Sequence, residues 1–379
     1  MSLFCYEFFA GGGLARLGLG RDWNCLMAND VSEKKAAAYA ANFGDGPLLV
    51  RDIRTLSPED LPGRAHLAWA SFPCQDLSLA GRGQGLQGER SSTFWPFWEL
   101  MRALQDQGRE VPVAVIENVA GAITSNGGED FRAILTAMSR AGYRFGPMVL
   151  DGRWFTPQSR PRLFIAATTA PADGLASDGP LPHCHPESLR RARAGLPAEV
   201  RRNWIWWSLP EPPRRTTNLA DILKDADATA WDPPEKTRRL VEMMAPGHRL
   251  NVERALEESR ATGRIVAGTL YKRTRKGPDG RSVQRAEVRF DGVCGCLRTP
   301  AGGSSRQTLV AAVDGELRSR LLTPRETARL MGAPDGYLLP KRANESYQLM
   351  GDGVVVPLVA WLERQLLRPL VERAQERAS

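Results

Sequence analysis

The chain has 379 residues, a formal net charge of +8 and a pI near 9.4, so it is long enough for a large core plus a smaller second unit, and basic enough to suit a polyanionic partner such as nucleic acid. Its six cysteines, Cys5, Cys25, Cys74, Cys184, Cys294 and Cys296, are too scattered for a disulfide-framed secreted domain. No stretch is apolar for long enough to span a membrane, and no basic leader precedes the first apolar run, so a cytoplasmic protein is expected.

Leu3 to Phe9 reads as an apolar strand, followed by Ala10-Gly11-Gly12-Gly13 and a helix that begins near Leu14. Glycines at that point let the backbone turn tightly and approach a ligand with a helix N-terminus behind it. A dinucleotide fingerprint would place another glycine three residues after Gly13, but Arg16 stands there, so a nucleoside-type cofactor fits better. A second strand, Asn24 to Ala28, ends at Asn29-Asp30. The Asp30 carboxylate can accept hydrogen bonds from a ribose diol, or it can cap the helix Glu33 to Asn42 together with Ser32.

Val50-Arg51-Asp52-Ile53 offers a third strand end with a carboxylate. The next apolar run, Leu67 to Ala70, must stop at Ser71-Phe72-Pro73, because Pro73 cannot donate to a ladder. Cys74 then enters a loop at a strand's carboxyl end, where open parallel sheets bind ligands; its other reading is an inert, packed thiol. Gly81 to Arg90 is glycine-rich and polar and reads as a lid-like loop, leading into a helix from Thr93 to about Gln105. Val113 to Ile116 is another buried strand, ending in Glu117-Asn118-Val119; a glutamate there needs either solvent or a partner. The helix Asp130 to Ala141 and the strands Arg144 to Leu150 and Arg162 to Ala167 complete an alternating β/α pattern. Before the last strand, Gln158-Ser159-Arg160-Pro161-Arg162 presents two guanidinium groups that can bind acceptors or serve as surface charge.

From about 170 to 319 the chain is rich in proline, glycine and arginine with little regular period. The segment 264 to 306 carries ten Lys/Arg against three Asp/Glu, most of the net charge. These arginines and the cluster Trp204, Trp206, Trp207 suit contact with nucleic acid, although such an aromatic cluster is more often core. His183-Cys184-His185 and Cys294-Gly295-Cys296 lack standard zinc spacing, and no metal is expected. Further on, Thr323 reads as an N-cap, Pro324 as the first helical position and Glu326 as the far side of a capping box. A last helix, about Val354 to Leu367, follows Gly351-Asp352-Gly353, and its apolar face suits a return to the first sheet.

Taken together, these pieces resemble the cytosine-C5 DNA methyltransferase family of bacterial and phage type. Phe9-Ala10-Gly11-Gly12-Gly13 is similar to the family's cofactor loop, Phe72-Pro73-Cys74-Gln75 to its nucleophile motif, Glu117-Asn118-Val119 to its glutamate motif, and Gln158 to Arg162 to its paired-arginine motif. Arg320-Leu321-Leu322-Thr323 with Glu326, then Arg329 to Gly332 and Pro334-Asp335, resembles the structural motif after target recognition; Gly351 to Val355 resembles the last motif. Two positions depart: Leu14 where the family often has glycine, and Asp352 where it usually has asparagine.

The resemblance implies an α/β fold: a doubly wound, mostly parallel sheet of the S-adenosylmethionine-dependent methyltransferase type with a smaller irregular target-recognition domain. The implied division is 1–169 for catalysis and cofactor, 170–319 for target recognition, and 320–379 returning to the catalytic domain. It also implies transfer of a methyl group from S-adenosylmethionine to carbon 5 of a flipped-out cytosine. Since C5 is a poor nucleophile, a thiolate must first add to C6. The resemblance assigns that thiolate to Cys74, the acid at N3 to Glu117, kept protonated by burial, the contact to O2 to Arg162, and support of the nucleophile region to Arg160. Cofactor contacts are implied for Phe9, Ala10, Gly11, Gly13, Asp30, Val31, Asp52, Ile53, Pro73, Phe94 and Asp352. DNA contacts are expected from Gln75, Arg82, Lys272, Arg273, Arg275, Lys276, Arg298 and Arg306. Duplex DNA is the expected partner, with a cognate restriction endonuclease alongside it, and the chain is expected to act as a monomer. A tRNA cytosine methyltransferase shares such a core, but its usual Cys-Phe-Thr tripeptide is absent from this sequence. A nucleotide-dependent oxidoreductase would explain the glycine loop and Asp30, but not Cys74, Glu117 and Arg162 together. A catalytically dead DNA-binding module would have no need of all the expected catalytic residues.

Overall fold

The computed structural model describes residues 2–73, 93–223, 230–276, 280–299 and 306–378. Cys74, Gln75, Arg82 and the Gly81–Arg90 segment lie outside the described residues. The chain divides into two compact units: residues 1–151, 161–212 and 356–379 form the first, and residues 152–160 and 213–355 the second.

The first unit is built on a seven-stranded sheet: β1 (Leu3–Phe8), β2 (Trp23–Asp30), β3 (Leu48–Val50), β4 (Leu67–Ala70), β5 (Val113–Val119), β6 (Arg144–Asp151) and β7 (Pro161–Thr168). Their order is β3-β2-β1-β4-β5-β7-β6. β1 to β5 pair in parallel, while β7 runs antiparallel to both β5 and β6. Every residue of β4 is buried, as in a strand covered on both faces, which is why its sequence is a continuous apolar run. The chain winds outward from β1 through β2 to β3, then restarts at β4 and winds the other way through β5. That reversal places the ligand-binding edge at the carboxyl ends of β1 and β4.

Four helices flank these strands: α1 (Leu14–Leu19), α2 (Glu33–Phe43), α3 (Phe94–Asp106) and α4 (Glu129–Arg140). α3 buries Phe94, Phe97, Trp98, Met101 and Leu104, the spacing of one helix face. The helices Val356–Leu362 and Arg368–Ala378, joined by a π-turn at Glu363–Leu367, also belong to this unit. Gly18 of α1 lets Val359 pack directly on its backbone, for a Cβ there would stand 2.5 Å from Val359 Cβ. Trp23 Nε1 donates to Glu363 Oε1 at 2.9 Å, fixing the buried carboxylate at the π-turn.

Residues 170–212 extend this unit instead of opening a second one at 170. Phe145 of β6 donates its N–H to Asn203 O at 2.9 Å and accepts from Ile205 N at 2.8 Å, and Trp207 Nε1 donates to Gly146 O at 3.0 Å. Trp204 and Trp207 are therefore core residues, the commoner of the two readings that the sequence leaves open for them.

The second unit contains a four-stranded antiparallel sheet of β8 (Val266–Lys276), β9 (Ser282–Arg289), β10 (Thr308–Val313) and β11 (Glu316–Leu321), ordered β11-β10-β8-β9. Leu240, Met244 and Val252, from the helices Pro234–Glu242 and Pro246–Thr262 and the turn between them, pack on Leu270, Ala286, Val288 and Val310. The region expected to be irregular thus has its own small core. Residues 320–355 fall with this unit, and only the chain from Val356 falls with the first. The expected capping box is present: Thr323 Oγ1 accepts from Glu326 N at 3.2 Å, and Glu326 Oε2 accepts from Thr323 N at 2.8 Å. Arg320 grips the same buried carboxylate with two 2.7 Å bonds.

Candidate active site

β5 and β7 bring the two expected cytosine-facing groups together by register. Glu117 stands opposite Phe164 and Val119 opposite Arg162, so Glu117 and Arg162 are diagonal neighbours on one face. Arg162 Nε lies 3.3 Å from Glu117 Oε1, and the two side chains are only 14% and 7% exposed. The glutamate that had to be solvated or partnered therefore has a cationic partner.

Asn118 points the other way and ties two strand ends together. Its Nδ2 donates to Phe72 O at 3.2 Å, while its Oδ1 accepts from Val119 N at 2.8 Å. Phe72 is buried against Phe94 at 5.8 Å and Phe9 at 6.4 Å between ring centroids. These contacts hold the chain after β4 until Pro73, and the expected nucleophile follows outside the described residues.

At the end of β1, Phe9 and Gly11 both adopt φ of +56° and Gly13 one of +76°. Gly13 cannot carry a side chain, because a Cβ would stand 2.4 Å from the Phe43 ring. Around Gly11 the position of a Cβ is open for 4 Å, leaving bare backbone accessible to a ligand. Asp30 joins this loop to β2: Oδ2 accepts from Gly11 N at 2.9 Å and Oδ1 from Ser32 N at 2.8 Å. Capping of α2 falls to Ser32, whose hydroxyl accepts from Lys35 N. A carboxylate has about four acceptor sites, so Asp30 keeps capacity for a ribose diol. The open backbone at Gly11 and this carboxylate together fit a nucleoside cofactor. Val31, at 68% exposure, also faces outward here.

Asp52 caps the short turn Ile53–Thr55 and is chelated by Arg54, whose side-chain bond holds it below the ordinary carboxylate range. Ile53 and Phe94 are buried beneath this edge. Ala10 N donates to Asn29 O at 2.8 Å, closing the loop onto β2. Asp352 is an exposed residue of the second unit, at the end of the helix Ala343–Asp352.

One residue of this edge is not singled out by the sequence motifs. Glu7, a lone carboxylate in the apolar run of β1, is 1% exposed; its Oε1 accepts from Arg16 N at 3.2 Å, satisfying the first turn of α1. Its Oε2 has no hydrogen-bond partner among the described residues, and desolvation pushes its pKa well above the ordinary value. A glutamate inside Leu3–Phe8 is itself the available signal.

The expected DNA-facing cations of the second unit are exposed but not equivalent. On β8, Arg273 and Arg275 share one face with Glu287 of β9 and pair with it at 3.3 and 2.6 Å, whereas Lys272 and Lys276 alternate to the other face. Arg298 and Arg306 line a small hollow with Gln307 and Tyr347.

Arg160 is fully buried and commits its guanidinium to backbone. Nη1 donates to Leu297 O at 3.0 Å, and Nη2 to Gly351 O at 2.6 Å and Gly353 O at 2.7 Å. It belongs to the second unit and Arg162 to the first.

The reversal of the sheet at β1 and β4, with a glycine loop and an acidic strand end beside it, defines a class of enzyme that binds a nucleoside-type cofactor. The family profile of C-5 cytosine-specific DNA methylases matches residues 3–368, and the chain belongs to that family. Its methyl donor is S-adenosylmethionine. Among curated relatives, the type II methyltransferase M.MspI of Moraxella sp is 23% identical over 362 residues, covering 95% of this chain and 69% of that protein. M.HhaI of Haemophilus parahaemolyticus is 23% identical, covering 94% and 91%. The fold is similar to that of a Dnmt2 methyltransferase from S. pombe, with a TM-score of 0.56 at 17% identity over 98% of this chain and 99% of that one.

Proposed function

We propose that the chain methylates carbon 5 of a flipped-out cytosine within a specific duplex DNA sequence. The observation that carries this reading is the Glu117–Arg162 pair at the carboxyl edge of the sheet. Cytosine offers N3 and O2 side by side on one edge, an acceptor pair that a carboxyl proton and a guanidinium can meet together. Cys74 adds to C6, pushing electrons toward N3; Glu117 supplies the proton there and Arg162 steadies O2. The enamine so formed carries nucleophilic density at C5, and bound S-adenosylmethionine supplies the electrophilic methyl group. Loss of the C5 proton then expels the Cys74 thiolate. Because C6 cannot be reached inside a stacked duplex, the base must leave the helix before the thiolate attacks.

On the cofactor side, Gly11 gives backbone access and Asp30 receives the ribose hydroxyls. Phe9 meets Phe72 edge to face at 6.4 Å between ring centroids, which fixes the start of the glycine loop against the end of β4. On the DNA side, the basic segment 264–306 supplies phosphate and base contacts, and a restriction endonuclease is the partner such an enzyme protects against. A second reading, methylation of a tRNA cytosine by the same residues, draws on the fold's likeness to Dnmt2.

The test is transfer of labelled methyl from S-adenosylmethionine to duplex DNA and to tRNA, with bisulfite sequencing of the DNA product. Label at C5 of cytosine in one recurring duplex sequence is the expected result. Label confined to tRNA selects the second reading.

A further inference from the structure

The residues around Arg160 form a joint within the second unit. Four stretches of the second unit converge there: 157–160, 294–299, 330–331 and 351–353. Cys294 N donates to Pro157 O at 2.7 Å and Ser159 N to Cys294 O at 2.9 Å, an isolated parallel bridge. Gln158, fully buried, then accepts from Leu297 N through Oε1 at 3.1 Å and donates through Nε2 to Leu330 O at 2.9 Å. Arg160 takes the carbonyl of the same residue, Leu297 O, and with its other nitrogen the carbonyls of Gly351 and Gly353 at the C-terminus of the preceding helix. Those last carbonyls have no partner within their helix, and a cation there also answers the helix dipole.

Both backbone groups of Leu297 are thus held by side chains, one from Gln158 and one from Arg160. Immediately after it, the Arg298–Thr299 peptide lies against Gly351 so closely that a Cβ on Gly351 would stand 2.8 Å from both Arg298 C and Thr299 N. The backbone that carries Arg298 is therefore fixed on two sides, while the Arg298 side chain is exposed. A base-reading guanidinium needs this: its two N–H groups must meet two acceptors on one base edge, which tolerates little displacement of the backbone.

We propose that Gln158 and Arg160 are positioning residues for sequence choice: they act through Leu297 and the Gly351–Gly353 turn to aim Arg298 at a base pair of the target. This rests on the reading of the chain as a DNA methyltransferase. Arg298 reads the base, Gln158 and Arg160 set its origin, and the chemistry at the cytosine belongs to other residues.

The test uses the full-length enzyme with Gln158→Met, Arg160→Lys and Arg298→Ala, and the double variant Gln158→Met with Arg298→Ala. Methyl transfer is measured on a duplex carrying the mapped target and on duplexes with single base pairs changed. For Gln158→Met, the expected result is a KM for the target duplex raised about tenfold, with kcat at saturating duplex within about threefold. Discrimination should relax at one base pair, the same one that Arg298→Ala relaxes. In the double variant, discrimination at that pair should change less than twofold beyond Arg298→Ala alone, because both changes remove one interaction. Multiplicative effects in the double variant overturn the proposal, as does relaxation at a different pair. A kcat drop beyond tenfold with KM and discrimination unchanged, in either single variant, assigns these residues to the chemistry instead. Should Arg160→Lys fail to fold, the Gln158→Met cycle decides alone. Should the wild-type enzyme label only tRNA, the functional reading fails, and the same KM, kcat and double-variant comparison on that tRNA and its single-base variants decides the positioning role.

Discussion

Arg162 and Glu117 are bound to each other 3.3 Å apart on diagonal positions of an antiparallel pair, so neither can be changed without leaving the other buried beside an altered partner. Glu117→Gln keeps the shape and removes the acid. Turnover is expected to fall by roughly a hundredfold or more, the worth of a general acid. Single-turnover methyl transfer at saturating cofactor and duplex reads this directly, and a rate within threefold of wild type would move the acid elsewhere.

Cys74→Ser should abolish turnover while leaving duplex binding within a few-fold of wild type. The hydroxyl is nearly the same size as the thiol but a far weaker nucleophile at neutral pH. Gel-shift and methyl-transfer assays on one preparation separate the two effects. Residual methylation at a tenth of the normal rate is incompatible with a Cys74 adduct.

The β8–β9 hairpin makes a prediction about salt. Replacing Lys272 and Lys276 by Gln should lower the slope of log affinity against log salt by about two units, one for each phosphate that is no longer neutralised. Replacing Arg273 and Arg275 should lower it by less, because Glu287 already neutralises part of their charge. Titrations on target and scrambled duplexes should show the same change for both, and an unchanged slope when all four residues are replaced together places the electrostatic footprint elsewhere.

Glu7 predicts a pH dependence of stability. Burial raises its folded pKa above the unfolded value near 4.5, so below that pH the folded state bears no penalty, and a penalty grows as pH rises above it. Glu7→Gln mimics the neutral form. The variant should melt close to wild type at pH 4.5 and measurably higher than wild type at pH 7 to 8. Equal melting temperatures across that range would mean that Glu7 carries no burial penalty.

Much of the first unit was legible because its signals are local. A four-residue apolar run stopped by Pro73 could only be a buried strand, and glycines at φ of +56° and +76° stand where the sequence places the cofactor loop. Thr323, Pro324 and Glu326 announce their helix through capping chemistry alone. The second unit hides its regularity for a physical reason. Of the seventeen residues of Pro246–Thr262 only Val252, Ala255 and Ser259 are buried, so its stripe is too thin to show as a period. β8 reads as charge because half of its length projects beyond the small core. The site was legible as residue types and not as partnerships. Glu117 demands a partner, but only the β5/β7 register names Arg162. Arg160 looks like a neighbour of Arg162 in both place and purpose, yet its bonds run to carbonyls 137 to 193 residues away, a distance no local pattern encodes.

The packing of Val359 on Gly18 and of Glu363 on Trp23 has a consequence for how the protein is made. A ribosome delivers α1 and β2 well before the helix that covers them, which emerges some 340 residues later. At elongation rates of about 5–20 residues per second, the notch at Gly18 and the indole of Trp23 wait on the order of twenty seconds to a minute for their cover. During that interval the sheet's first strands exist without their closing layer, while all of the second unit, residues 152–160 and 213–355, is synthesised. The second unit has all of its residues before the first, whose covering helices come only from Val356 onward.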